Sequence, residues 1–438
     1  MVSNPRFISF SIIYDFLRSK KSQSLIFNLH FNDTLNVADK KFITHISKGV
    51  FRNKLLLDEN ISFYSKIKKI DNKTLSLLYL GIFQIIFCDS VPNYAAVNST
   101  VEIANKNSKK SKTFINAILR KVSNKQISFY EKTAQHKIFD CPEWLYLKLV
   151  KDCNQSGINR YLINSKIRPK IWLRINTFKT SPLTIQELFN KNKINYYVDE
   201  HLNEFLEVDK LDSKGVILES IKLGLLYVQN PSSGLVIKYL MPKSKSKVLD
   251  ACSAPGGKAS FILQETKDSL SLTCIEKNKS RLQILKSNMK ILEFHNIKYI
   301  NADAENIVFK DKFDQILLDL PCSSTGTFAK NPDIKWKIDS KSITSFKGLQ
   351  LKILLNLSKS LKLGGELLYC TCSLLKNENE DNIIEFLKIN RNFSIVDMQD
   401  CLPSKFKNKL GGMTIMPNSN NYEGMFAIKL KKNEEIIS

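Results

Sequence analysis

The stretch Val248-Leu-Asp-Ala-Cys-Ser-Ala-Pro-Gly-Gly-Lys258 decides the fold. An apolar run of strand length gives way to Pro255, Gly256 and Gly257, and Ala259 to Gln264 then read as a helix. Glycines at a strand-to-helix turn let the backbone approach a ligand where no Cβ fits. Outward from this turn, buried strands alternate with amphipathic segments, the texture of a parallel sheet covered by helices. Strands are expected at Val248 to Asp250, Leu272 to Ile275, Lys298 to Ile300, Gln315 to Leu318 and Glu366 to Cys370. A hairpin of Met413 to Met416 and Met425 to Leu430 follows.

Each strand end carries a group with a use. Glu276 stands where doubly wound nucleotide sites place the acid that holds ribose hydroxyls, and Asp303 follows the third strand, placed for an adenine amino group. Neither Gly-x-Gly-x-x-Gly nor Gly-x-x-x-x-Gly-Lys-Ser/Thr occurs, which favours a nucleoside cofactor without phosphates. The fourth strand delivers Asp319-Leu-Pro-Cys-Ser-Ser-Thr-Gly326 and the fifth Tyr369-Cys-Thr-Cys-Ser373. Two thiols, Cys322 and Cys372, thus arise at the carboxyl ends of neighbouring strands, where open parallel sheets place ligands. A thiolate suits addition to C6 of a pyrimidine, which makes C5 electron-rich enough to take a methyl group. Lys258 or a helix N-terminus is the expected source of a lowered thiol pKa, and Asp319 is placed as the acid at the base's N3. Either thiol alone would read as a small core residue, as Cys370 does; Asp319 beside Cys322 tips the reading toward chemistry. These residues leave open which thiol attacks.

Further out, residues 5 to about 125 show helical periodicity, with Phe7, Phe10, Ile13, Phe16 and Leu17 as one stripe. Asn105 to Lys112 reads as a basic connection, either a solvated loop or an RNA-facing patch. Around Cys141 to about 225 the strands Ile171 to Asn176 and Tyr196 to Val198 flank a helix from Thr184 to Asn190, a small α+β unit. The expected organisation is an all-α bundle over 1–140, an α+β linking unit over 141–235 and an α/β domain over 236–438. A formal charge of +24 points to a polyanionic partner. The most apolar run, Leu75 to Cys88, is too short to cross a bilayer, and Asp15 and Arg18 interrupt any signal-peptide pattern. Nine cysteines without framework spacing suit a reducing cytoplasm. No metal and no membrane association are expected.

The sequence also resembles the bacterial 16S rRNA cytosine-5 methyltransferases of the NOL1/NOP2/Sun group, in the form carrying an N-terminal NusB-like domain. In the catalytic part the likeness rests on Cys252-Ser-Ala-Pro-Gly-Gly-Lys258, Asp319 to Gly326, Asn331-Pro-Asp-Ile-Lys-Trp336 and Thr371-Cys-Ser373. In the N-terminal part it rests on Pro92-Asn-Tyr-Ala-Ala-Val-Asn98 and Phe114-Ile-Asn-Ala-Ile-Leu-Arg120, and in the linking region on Trp172 to Asn176 and Val228 to Ser233. The resemblance implies a Rossmann-like class I methyltransferase domain and S-adenosylmethionine as methyl donor. It implies a cofactor site of Cys252, Ser253, Ala254, Pro255, Gly256, Gly257, Lys258, Glu276, Asp303 and Asp319. Cys372 becomes the attacking thiol and Cys322 the one that aids product release. The implied partner is 16S rRNA and not DNA, and a monomer is expected. Ser253 and Glu276 replace the usual Ala and Asp, and Ala329-Lys330 stands where two arginines are common, which weakens phosphate contacts there. The rival readings are a tRNA cytosine-5 methyltransferase and a NusB-type RNA-binding factor that has lost catalysis. The segment from Asn331 to Trp336 is expected to shape the substrate pocket, against the plainer alternative of a turn with a packed Trp.

Overall fold

Seven α-helices form among the described residues before residue 125: α1 (Pro5–Arg18), α2 (Gln23–His30), α3 (Val37–Arg52), α4 (Lys54–Tyr64), α5 (Asn72–Phe87), α6 (Asn93–Asn107) and α7 (Lys112–Asn124). The computed structural model describes residues 4–19, 21, 23–32, 35–65, 67, 69–125, 134–210, 215–398, 402–417 and 421–434. The most apolar run of the sequence becomes α5, capped by Asp71 and buried on nearly every side against α1, α3, α4, α6 and α7. It is a core helix, and no described helix is long and apolar enough to cross a membrane. In α1 the buried face is Ile8, Phe10, Ile12, Ile13 and Phe16, whereas Phe7, expected in that stripe, is exposed. The basic connection is short, a single 3₁₀ turn at Lys109–Ser111 between α6 and α7.

These helices belong to the first of two compact units, made of residues 1–151, 158–168 and 328–337. The second comprises 152–157, 169–327 and 338–438. The α+β part therefore packs in the same unit as the α/β sheet. Its antiparallel strands are β1 (Ile171–Ile175), β2 (Tyr197–Val198), β3 (Phe205–Val208) and β4 (Leu226–Val228), in the order β2-β3-β1-β4. Sequence periodicity missed β3 and β4, both shorter than five residues.

The large sheet contains β5 (Lys247–Ala251), β6 (Ser271–Ile275), β7 (Ile297–Ile300), β8 (Phe313–Asp319), β9 (Leu361–Thr371), β10 (Phe393–Val396), β11 (Met413–Ile415) and β12 (Met425–Lys432). Its order is β10-β12-β9-β8-β5-β6-β7, with β11 paired to β12. β7, β6, β5, β8 and β9 run parallel, and β12 returns antiparallel beside β9. Apolar side chains such as Val248, Leu249, Leu272, Ile275, Ile316, Leu317 and Leu318 are fully buried, as strands covered on both faces require. All five expected parallel strands form, as does the hairpin; β10 was not expected. The chain turns from β5 to β6 on one side and later to β8 on the other, so the switch of direction lies between β5 and β8, where such sheets hold ligands.

Candidate active site

The turn after β5 is built from unusual backbone. Cys252 has φ +59°, the Ala254–Pro255 bond is cis, and Gly256 has φ +104°. A side chain at Gly256 would be strained by that φ and would place its Cβ 2.5 Å from Leu285. The helix Gly257–Glu265 then starts from the turn. Ser253 N donates to the Ile275 carbonyl at 3.1 Å and Ser253 Oγ to the Asp250 carbonyl at 2.6 Å, so the serine in place of alanine stitches the loop to β5 and β6. The guanidinium of Arg281 holds the Ala254 carbonyl and Asn288 the Pro255 carbonyl.

Sequence reasoning quoted Arg174 without giving it a task. Fully buried in β1, it donates to Gly257 O at 3.0 Å and Ser260 Oγ at 2.6 Å, and its guanidinium lies 4.8 Å from the Phe261 ring centre. Arg174 thus pins the first turn of that helix. An arginine in a strand otherwise apolar was the available signal. Asp250 was likewise passed over. Both of its carboxyl oxygens are buried without a hydrogen-bond partner, and burial, reinforced by the nearby Asp319 charge, pushes its pKa well up toward the protonated form.

Glu276 follows β6 and is buried. Oε1 accepts from Asn278 N at 2.9 Å, while Oε2 has no hydrogen-bond partner and lies 3.6 Å from the Arg281 guanidinium. Asp303 accepts from Glu305 N at 3.1 Å and pairs with Lys277 at 2.7 Å, a hydrogen bond that holds its carboxyl below the usual range. S-adenosylmethionine fits this arrangement. An orphaned, buried carboxylate oxygen suits a ribose hydroxyl, and it lies one strand away from a loop whose backbone is held open.

At the ends of β8 and β9 the two thiols meet. Cys322 Sγ and Cys372 Sγ lie 3.3 Å apart, and Ser324 Oγ is 3.4 Å from Cys372 Sγ. Gly326 N donates to Cys372 O at 2.9 Å, and a Cβ on Gly326 would come within 2.8 Å of that oxygen. Hydrogen bonding from Cys322, aided by Ser324, draws the Cys372 thiol below its ordinary range against the opposing effect of burial. Cys322 moves the opposite way, raised by its bond to Cys372 and by burial. Cys252 is pushed up to about 12 by burial, and Cys370 is raised by burial and by Asp319. Of the eight cysteines among the described residues, Cys372 alone is shifted toward the thiolate.

Lys258 or a helix N-terminus was the expected source of a lowered thiol pKa. Lys258 pairs with Asp319 at 2.8 Å and also interacts with Cys370 and Cys372; burial opposes its charge, but Asp319 outweighs burial and holds the ammonium protonated. Cys370 lies on the other carboxylate oxygen at 3.6 Å. The favourable influences on the Cys372 thiolate are local, from its sulfur neighbour and a serine. The segment from Asn331 to Trp336 also departs from expectation. Phe328 stacks on Tyr161, Arg52 and Lys48 hold the carbonyls of Ala329 and Lys330, and the Trp336 indole donates to Phe51 O at 2.8 Å. Lys335 is buried with its ammonium on Asp140 O at 2.6 Å. The plainer reading holds, since these residues are packed into the helical unit.

A doubly wound sheet with an open glycine turn, a buried carboxylate at the second strand end and paired thiols defines a Rossmann-like S-adenosylmethionine-dependent methyltransferase, joined here to a NusB-type helical domain. The family model for 16S rRNA methyltransferase RsmB/F matches residues 237–431, and that for the NusB family matches 3–124. The chain is 30% identical over 404 residues to the ribosomal RNA small subunit methyltransferase B of Photorhabdus laumondii, covering 90% of this chain and 91% of that one. It is 27% identical over 424 residues to the probable ribosomal RNA small subunit methyltransferase B of Bacillus subtilis, covering 92% of each. The solved structure of PH0851 superposes with a TM-score of 0.82 at 22% identity, over 99% of this chain and 100% of that one. NSun6 from Pyrococcus horikoshii with SFG superposes at 0.60 and 20% identity, over 67% of this chain and 99% of that one. The chain belongs to the RsmB/F family of 16S rRNA methyltransferases and is an S-adenosylmethionine-dependent rRNA methyltransferase. The reading as a factor without catalysis is set aside.

Proposed function

We propose that this enzyme methylates carbon 5 of one cytosine in 16S rRNA through a covalent bond between Cys372 and C6. The observation that carries the reading is the meeting of the two sulfurs, 3.3 Å apart at the ends of β8 and β9, with Cys372 the one whose surroundings favour the thiolate. The Cys372 thiolate gives its electron pair to C6, and ring electrons move toward N3, which takes a proton. The proton at N3 is assigned to the Asp319–Lys258 pair; Lys258, with its ammonium on Asp319, is the member that carries one. S-adenosylmethionine, when bound, supplies the methyl group; Glu276, Asp303 and the loop from Cys252 to Lys258 would hold it. Loss of the C5 proton to water then restores the C5=C6 bond and expels Cys372 as thiolate, and the N3 proton returns to the Asp319–Lys258 pair. The S–H of Cys322 is in place to hydrogen-bond to that departing sulfur.

The target base must leave its stack to reach the thiols, which favours loop or single-stranded RNA. Bisulfite sequencing of rRNA and tRNA from cells lacking the protein tests the substrate. The expected result is one unprotected cytosine in 16S rRNA, restored by the wild type and not by Cys372→Ala. A lost tRNA site would move the substrate to tRNA, and full restoration by Cys372→Ala would remove the nucleophile.

A further inference from the structure

We propose that Glu378 is a positioning residue for methyl transfer: its buried carboxylate ties together the two loops that carry the thiols and sets which sulfur keeps the proton. The proposal rests on the reading of Cys372 as nucleophile. Glu378 sits on the 3₁₀ turn Lys376–Glu378, just after β9, and is fully buried. Oε2 accepts from Ser323 N at 2.8 Å and Gln350 Nε2 at 3.0 Å. Oε1 accepts from Ser373 Oγ at 2.7 Å and from Ser323 Oγ. Ser323 follows Cys322 and Ser373 follows Cys372, so one carboxylate holds the neighbour of each thiol. Ser323 Oγ and Ser373 Oγ are 3.1 Å apart, and Thr325 Oγ1 accepts from Leu374 N at 2.8 Å, which closes the two loops on one another. Tyr369 holds the turn from below by donating to the Glu378 carbonyl.

A buried carboxylate is costly unless its lone pairs are filled, and here neutral donors fill them. No ion pair to Glu378 occurs among the described residues, and its carboxyl oxygens meet only neutral donors. The Glu378 charge is one of the influences that raise the Cys322 thiol, after its bond to Cys372 and burial. Cys322 also faces Ser324 and Tyr369, while Cys372 faces Cys322, Ser324, Asp319, Glu423 and Lys258. Glu378 therefore acts on the nucleophile at one remove. It keeps Cys322 as a hydrogen-bond donor, and that donor keeps Cys372 ionised.

Glu378→Gln removes the charge at nearly constant volume. The expected result is a fall in kcat of at least tenfold, with KM for RNA and the S-adenosylmethionine dissociation constant within about twofold of wild type. Limited alkylation by iodoacetamide near pH 7, read by peptide mass spectrometry, should label Cys372 almost alone in the wild type. In Glu378→Gln the Cys322 share should rise about tenfold, because one unit of pKa difference between the thiols is a tenfold change in proton partition. Glu378→Asp retains the charge and should keep the wild-type labelling, and Ser373→Ala should lower kcat without changing the labelling. Wild-type kcat and labelling in a folded Glu378→Gln overturn the proposal; should that variant fail to fold, unchanged kcat in Ser373→Ala does so. Full turnover by Cys372→Ala would instead sink the underlying reading, and an inactive Cys372→Ala beside unaffected Glu378 variants would sink Glu378 alone.

Discussion

At the scale of single residues, the proposed chemistry is divided between two sulfurs that are alike in type and unlike in surroundings. Hydrogen bonding from Cys322 and Ser324 favours the charged form of Cys372, and burial disfavours it for both. The direction of the Cys372 shift has a consequence for pH. The reactive thiolate accumulates as pH rises, so a lowered pKa moves the acid limb of the single-turnover rate below the ordinary thiol range near 8.5. Cys322→Ala removes the main donor, and the limb should move up toward that range. The same variant lacks the S–H that meets the departing Cys372 sulfur, so its covalent RNA adduct should persist. A retarded band on denaturing electrophoresis with labelled RNA is the expected sign. Wild-type turnover with no band and an unmoved limb would take Cys322 out of the mechanism.

At the scale of elements, the segment 328–337 shows how a stretch of the methyltransferase sequence is used elsewhere. It follows the Cys322 loop by one residue and is held in the helical unit by Arg52, Lys48, Tyr161 and Phe51. Beneath it lies Asp140, fully buried, whose carboxylate accepts from Leu55 N at 2.9 Å and Leu56 N at 3.4 Å and so caps α4 from outside the helix. Burial raises the Asp140 carboxyl to about 6, against the favourable charge of Lys335. The folded state thus binds this proton more tightly than the unfolded chain, whose Asp titrates near ~3.9. Its contribution to stability is complete below about pH 4 and is lost as pH rises through about 6, an effect on the order of 3 kcal/mol. Asp140→Asn should flatten stability over that window while keeping one acceptor for the cap. Chemical denaturation of the two proteins at pH 4 and 6.5 checks it; equal pH slopes would show that Asp140 does not titrate in the fold.

At the scale of the whole molecule, the proposed function gives a charge of +24 and a helical NusB-family domain one expected use, holding RNA while one base is processed. Phosphate contacts release counterions and carry no base selectivity. RNA affinity measured by fluorescence anisotropy should fall about a thousandfold between 50 and 200 mM salt, the behaviour of a protein neutralising roughly six phosphates. A loss under tenfold would mean that the excess of lysine is not spent on RNA. Much of this protein was legible before any coordinates. The alternation of buried strands with helical stripes, the glycine turn after Asp250 and the functional groups at Glu276, Asp303, Asp319, Cys322 and Cys372 are local properties of the chain, because period and turn chemistry are set by near neighbours. The short strands β3, β4 and β10 were not legible, although β2, β7 and β11, which are no longer than these, were. The tertiary structure alone decided which groups meet. Arg174 reaches the helix at Gly257 across 83 residues and Glu378 reaches Ser323 across 55, because β1 and β9 bring them there. Lys258 pairs with Asp319, and Trp336 lies in the helical unit. Those outcomes depend on strand order and on three-dimensional packing, to which a pattern of hydrophobic and polar residues along the chain is blind.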